Sequence, residues 1–125
     1  MTWLVFSGIA VAGGFGAALR MLLDGIVKSR LTGAMPWGTI LINVSGSLVL
    51  GFLTGLAAGR LLPETWHLII GTGFLGGYTT FSTASVETVR LAQERRWAAS
   101  LANALGTLAL ATGAAGLGLW LGGLV

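Results

Sequence analysis

The chain has 125 residues, which is the length of a single domain. Hydrophobic residues make up 54% of it and charged residues only 9%, against about 25% charged in an ordinary soluble domain. A water-soluble fold of this size could not bury so much apolar surface, so we expect a membrane protein. The absence of cysteine excludes disulfides, thiolate metal sites and cysteine nucleophiles.

Four apolar runs follow one another along the chain, and each is close to the roughly 20 residues that a membrane-spanning helix needs. They cover residues 3–23, 37–59, 66–91 and 97–121, with short polar links between them. Trp3, Trp37, Trp66, Trp97 and Trp120 lie near the ends of these runs, as interfacial anchors do. The sequence therefore predicts an all-α membrane protein, a single domain 1–125 with four transmembrane helices.

Basic residues are unevenly divided between the two sides that four spans would create. Arg60 is in the link on the side of the termini. Six lie on the other side: Arg20, Lys28, Arg30, Arg90, Arg95 and Arg96. The positive-inside rule places those links in the cytoplasm and both termini outside, in a bacterial plasma membrane. Because the basic residues sit at the ends of apolar runs, we expect no nucleic acid partner.

Amide side chains inside the runs are candidates for function, because an unpaired polar group in lipid is costly. Asn43 lies in the second run and offers two N–H donors. Asn103 and Thr107 are four residues apart on one face of the fourth helix. For Asn43, Asn103 and Thr107 the alternative is a purely structural role, in which the side chain forms a hydrogen bond that joins two helices.

Three charged residues lie near predicted helix ends. Arg20 is expected to extend its side chain to the membrane interface. Glu87 and Arg90, three residues apart, are expected to form a local ion pair.

The third run contains GGYTTFSTASVE, residues 76–87. Gly76 and Gly77 are poor helix formers, and the hydroxyl residues that follow compete for backbone hydrogen bonds. A break here would free carbonyl groups that suit a hard cation. The positive edge of the Phe81 ring can meet a small anion. A kinked helix that serves only packing is the alternative.

Three segments together resemble the small bacterial fluoride channels of the Fluc or CrcB family. They are GGFGAALR (13–20), PWGTILINVSGS (36–47) and GTGFLGGYTTFSTASVETV (71–89). The resemblance covers essentially the whole chain. It implies four transmembrane helices with a break in the third, and an antiparallel dimer with two fluoride pathways at its interface. Such a channel exports fluoride passively and lowers its concentration in the cytoplasm.

The resemblance also implies roles for individual residues. Asn43 corresponds to a fluoride donor, Phe81 to the first pore-lining aromatic residue, and Arg20 to the family's arginine near the end of helix one. A structural sodium ion, which is not transported, would be held by the backbone carbonyls of Gly76 and Thr79. The remaining pathway positions are Thr80, Ser82, Thr83, Asn103 and Thr107.

The chain departs from the family pattern at Ala84, where a second Phe is common. With the charge bias, this suggests one half of a heterodimer whose homologous partner has the opposite orientation. A homodimer and a non-conducting accessory subunit are the alternatives. A small multidrug exporter would need an acid in its first helix, and residues 3–23 contain none. With one His, no Cys and four acids, no catalytic constellation can be assembled.

Overall fold

The computed structural model describes residues 2–33 and 35–125, and among these the regular structure is helical, with no strand. The all-helical prediction is therefore confirmed. The elements in chain order are α1 (Trp3–Arg30), α2 (Trp37–Ala58), α3 (Glu64–His67), a π-helical segment (Leu68–Leu75), α4 (Gly76–Tyr78), α5 (Phe81–Gln93) and α6 (Trp97–Leu124).

Helix α1 is longer than the apolar run that predicted it. The Thr2 side chain caps its first turn, and the helix runs past Leu23 to Arg30. Asp24 and Lys28 support the added turns through an ion pair of 3.0 Å, one helical turn apart. The helix therefore includes Asp24, one residue beyond the predicted run 3–23, which itself contains no acid.

The third apolar run is divided into pieces. Thr79 (φ −82°, ψ 157°) and Thr80 (φ −146°, ψ 122°) are extended and separate α4 from α5. Gly76 and Gly77, which we predicted to break the helix, are helical. Gly77 serves a close contact, since a Cβ there would overlap the backbone carbonyl of Gly13 in α1.

Three helices, α1, α2 and α6, are long and apolar enough to cross a membrane. The buried hydrophobic side chains among the described residues are few: Ile40, Ile42, Leu75, Tyr78 and Leu91. Large apolar side chains cover much of the outer surface instead, including all five tryptophans. An outer surface of this kind is solvated by lipid, and the chain is a multi-pass membrane protein.

Helices α2 and α6 pack through glycines on both sides. A Cβ on Gly51 would overlap the carbonyl of Ala115, and one on Gly55 would lie 2.6 Å from the Leu119 carbonyl oxygen. Gly118 meets the backbone at Leu48 in the same way. Because these contacts advance together along both helices, α2 and α6 run parallel. Small residues at such spacing allow close approach of helices in lipid.

Helix α1 and the third apolar run (residues 66–91), called the third segment below, also pack parallel to each other. Gly8 contacts Ile69, and further along a Cβ on Gly73 would lie 2.8 Å from the Ile9 carbonyl oxygen. Gly13 then meets Gly77. This glycine contact holds the end of α4 against α1, immediately before the extended residues.

Candidate functional site

The two extended residues Thr79 and Thr80 interrupt the backbone hydrogen bonding of the third segment. Carbonyl groups before the interruption and N–H groups after it lose their helical partners. Inside a membrane such groups are tolerated only when protein partners or a polar cavity satisfy them. The surroundings of the interruption supply protein partners for several of these groups.

Asn43 of α2 satisfies the backbone of Thr80 from both sides. Its Oδ1 accepts from the Thr80 N–H at 2.8 Å, and its Nδ2 donates to the Thr80 carbonyl at 2.9 Å. The opposite amide orientation would face donor with donor, so these two bonds fix the side chain. The amide carries a second N–H, for which the described residues offer no acceptor. Asn43 therefore joins two helices and keeps one donor to spare.

Arg20 reaches the interruption from α1. Its Nε donates to the carbonyl of Gly77 at 3.3 Å. Sequence reasoning expected Arg20 to extend to the membrane interface; the structure gives its guanidinium a partner within the protein, the carbonyl near the end of α4.

The carbonyl oxygens of Gly76 and Thr79 remain without a hydrogen bond from any described residue. The N–H of Thr79 and its hydroxyl both donate to the Leu75 carbonyl at 2.9 Å, while the Thr80 N–H is held by Asn43. Gly76 lies on the outer surface of the chain. Apart from the Gly71 carbonyl oxygen at 4.0 Å, nothing would contact a Cβ on Gly76.

An open groove of about 580 Å³ lies beside the interruption, between α2, α5 and α6. The predicted site residues that line it are Asn43, Thr79, Thr80, Phe81, Asn103 and Thr107. Ala84 also lines it, and Phe81 is 87% exposed at its wall. The other four predicted positions do not line it: Ser82, Thr83, Gly76 and Arg20.

Ser82 and Thr83 contact the groove only through Thr80. The Thr80 hydroxyl accepts from the Thr83 N–H at 3.1 Å, which caps the first turn of α5. Ser82 Oγ lies 3.3 Å from the same hydroxyl. All three polar groups of Thr80 are therefore engaged at the point where the helix resumes.

Asn103 is buried between α6 and α5. Its Nδ2 donates to the Thr88 hydroxyl at 2.8 Å, and its Oδ1 lies 3.5 Å from the Thr107 hydroxyl. The Ser100 hydroxyl donates to the Thr88 carbonyl at 2.8 Å. These bonds fix α5, and with it Phe81, against α6.

Glu87 is a buried acid whose surroundings sequence reasoning missed. Its predicted ion pair with Arg90 is confirmed at 3.6 Å. In addition, the Thr39 hydroxyl donates to its carboxylate at 2.6 Å, and both side chains are buried. Thr39 precedes Asn43 by four residues, so the two polar side chains lie on one face of α2. This spacing in the sequence could have indicated that Thr39 also faces a buried polar partner.

These features define a class: a multi-pass helical membrane protein in which a few amide and hydroxyl groups line a largely apolar groove beside an interrupted helix. The family model described as CrcB-like protein, Camphor Resistance (CrcB), matches residues 7–119. The protein named fluoride-specific ion channel FluC 1 of Leifsonia xyli is 59% identical, covering 99% of this chain and 90% of its own length. The chain belongs to the CrcB family, which confirms the resemblance seen in the sequence.

Other relatives carry similar names. The fluoride-specific ion channel FluC 2 of Mycobacterium bovis is 43% identical over 97% of this chain and 93% of its own length. The fluoride-specific ion channel FluC 1 of Symbiobacterium thermophilum is 42% identical over 98% and 94%. The family is one of ion channels and not of enzymes.

Proposed function

We propose that the chain is a subunit of a fluoride-selective channel that exports fluoride passively across the bacterial plasma membrane and lowers its concentration in the cytoplasm. The observation that carries the proposal is the bidentate contact of Asn43 with Thr80, which holds an amide group with one spare donor at the wall of the groove. The names of relatives up to 59% identical over nearly the whole chain support it.

The groove offers a small anion the kind of contacts it loses with water. Burying a bare anion costs many kcal/mol unless donors replace its hydration shell. The spare N–H of Asn43 is such a donor. The Thr80 hydroxyl accepts from Thr83 and would turn its own O–H from Ser82 to the anion, and the Thr107 hydroxyl would exchange its 3.5 Å contact with Asn103 for it. The edge of the exposed Phe81 ring adds a weak positive field, without a full charge that would hold the anion too tightly. Ser82, Thr83 and Asn103 complete the proposed polar track.

The backbone at the interruption fits the proposed structural sodium ion. The free carbonyl oxygens of Gly76 and Thr79 are hard ligands of the type that small cations prefer. Gly76 is exposed and lacks side-chain neighbours, so an equivalent pair of carbonyls from a second subunit can approach. A fixed cation there would lower the energy of an anion in the nearby groove.

The proposal includes four membrane crossings and an antiparallel dimer with two pathways. The parallel packing of α1 with the third segment, and of α2 with α6, supports four crossings, because alternate crossings run in the same direction. The open groove and the exposed Phe81 support a second subunit. This partner would cover the groove and place groups of its own in it.

We further propose that the partner is a homologous subunit of opposite orientation. The charge bias of this chain favours one orientation, whereas an antiparallel homodimer needs both. The relatives in L. xyli and M. bovis are numbered FluC 1 and FluC 2, which agrees with paired subunits. A homodimer is the competing assembly.

A non-conducting accessory subunit is the second candidate, and Ala84 favours it. Ala84 lines the groove one turn after Phe81, where the family commonly has a second aromatic ring. The groove of this chain therefore has half of the usual aromatic pair. In this case a partner's groove would carry the fluoride.

Asn43→Asp tests the conducting role, with fluoride efflux from liposomes as the measurement, in whichever assembly conducts. Aspartate keeps the size but replaces both amide donors by a carboxylate that repels an anion. We expect efflux to fall by at least about tenfold, the factor that ~1.4 kcal/mol produces. Ser45→Ala is the control, since Ser45 bonds Ile42 and Tyr78 and does not line the groove. Equal rates for Asn43→Asp and wild type would support the accessory subunit.

A further inference from the structure

A second cavity, of about 730 Å³, is lined by a set of residues that shares no member with the groove. It is formed where α1 ends, α2 begins, α5 ends and α6 begins. Trp37 on its wall and Trp97 nearby are exposed, which places this end of the bundle at the membrane interface. The positive-inside rule makes it the cytoplasmic interface.

Three basic residues and two acids line the cavity: Lys28, Arg90, Arg96, Glu87 and Glu94. The side chains of Lys28 and Arg90 are 60% and 61% exposed. Their acidic partners Asp24 and Glu87 are only 21% and 6% exposed. Arg96, which also lines the cavity, forms no ion pair with a described residue. The accessible charge is therefore basic, with Glu94 as the acid on the rim.

Apolar side chains form the rest of the wall. Val27, Leu31 and Leu91 line the same cavity, beside the Trp37 ring. Such an apolar wall offers a small free anion no favourable contact. A phospholipid does, because its phosphate can lie among the basic groups while its glycerol and first methylene groups contact the apolar wall. Basic pockets between helices on the cytoplasmic side bind anionic headgroups in this way.

We propose that this cavity is a binding site for an anionic phospholipid of the inner leaflet, with its phosphate held by Lys28, Arg90 and Arg96. The site is separate from the groove and does not depend on fluoride conduction. A bound lipid would join the ends of α1, α5 and α6 and so fix the cytoplasmic end of the bundle.

Native mass spectrometry of the purified full chain, released from micelles with equal amounts of phosphatidylglycerol and phosphatidylcholine, tests the site. Wild type should retain phosphatidylglycerol preferentially. The double variant Lys28→Gln/Arg96→Gln should lose about fivefold in preference for each charge removed, and it leaves the Arg90–Glu87 pair in place. Arg60→Gln, which removes a cation at the other end, should change nothing.

Glu94→Gln provides an independent gain of binding, because it removes the acid on the rim and leaves every cation in place. Retention of phosphatidylglycerol should then rise, by about fivefold. The proposal is wrong if wild type shows no preference, if Arg60→Gln lowers retention as much as the double variant, or if Glu94→Gln has no effect. Displacement of the lipid by millimolar soluble glycerol phosphate would also overturn it, since the site would then take a free phosphate ester.

Discussion

Thr80 is the residue at which the helix interruption and the polar contacts meet. Its N–H and carbonyl bond Asn43, and its hydroxyl caps α5 by accepting from Thr83. The backbone contacts survive any substitution that keeps the extended conformation. The cap needs a side-chain oxygen, so the two contributions can be separated by mutation.

We expect Thr80→Ala to lower the stability of the folded chain by ~1 kcal/mol, the usual cost of losing a helix cap. Thr80→Ser keeps the hydroxyl and should remain close to wild type. Thermal unfolding of the purified protein in detergent measures both. Equal losses for Ala and Ser would show that the methyl group matters and the cap does not.

Sequence reasoning identified Asn43 because an amide in an apolar helix must find a partner. It could not identify that partner, since the Thr80 backbone is 37 residues away and is available only because the helix is interrupted there. For the same reason it could not identify the acceptor of Arg20, which is a backbone carbonyl. Backbone groups freed by an interruption leave no mark in the residue types of the sequence.

At the scale of elements, glycine contacts hold the helix pairs together. Gly116 and Gly118 both lie in α6. A Cβ on Gly118 would overlap the carbonyl of Leu48 in α2, whereas nothing lies within 4 Å of a Cβ on Gly116. The two positions are in the same helix and differ in what they face. They form a matched pair for testing close approach.

Gly118→Ala should separate α2 from α6 and lower stability by about 1–3 kcal/mol, because a backbone carbonyl cannot move aside as a flexible side chain can. Gly116→Ala should stay within about 1 kcal/mol of wild type or stabilise the helix slightly. Unfolding in detergent gives both values. A loss of stability at Gly116 equal to that at Gly118 would contradict the packing described for α2 and α6.

The positions of the long helices followed from apolar run length, but two boundaries did not. Helix α1 continues into a polar link because an Asp24–Lys28 pair supports it outside the apolar run. The interruption falls at Thr79 and Thr80, not at the preceding glycines. Gly77 is packed against α1, so tertiary contact overrode its low helix propensity.

At the scale of the whole molecule, orientation decides which dimer is possible. The chain contains no cysteine, so single cysteines introduced in the links report sidedness directly. Thr32 lies in the link between α1 and α2, and Leu61 in the link between α2 and α3. The proposed four crossings would place these links on opposite sides of the membrane.

We expect an impermeant maleimide to label Leu61→Cys in intact cells, and Thr32→Cys only after the cells are opened. This outcome follows from the positive-inside rule and would require a partner of opposite orientation for an antiparallel dimer. Labelling of both variants in intact cells would show two orientations of one chain. The heterodimer proposal would then give way to the homodimer.

Fluoride efflux from liposomes, followed with a fluoride electrode against a chloride control, decides whether the chain is part of a fluoride-selective channel. The chain would be reconstituted alone and with a homologous partner of opposite orientation. We predict rapid efflux of fluoride and not of chloride when both subunits are present, and little from this chain alone. If neither preparation releases fluoride faster than protein-free liposomes, or if chloride leaves as fast, the chain is not part of a fluoride-selective channel.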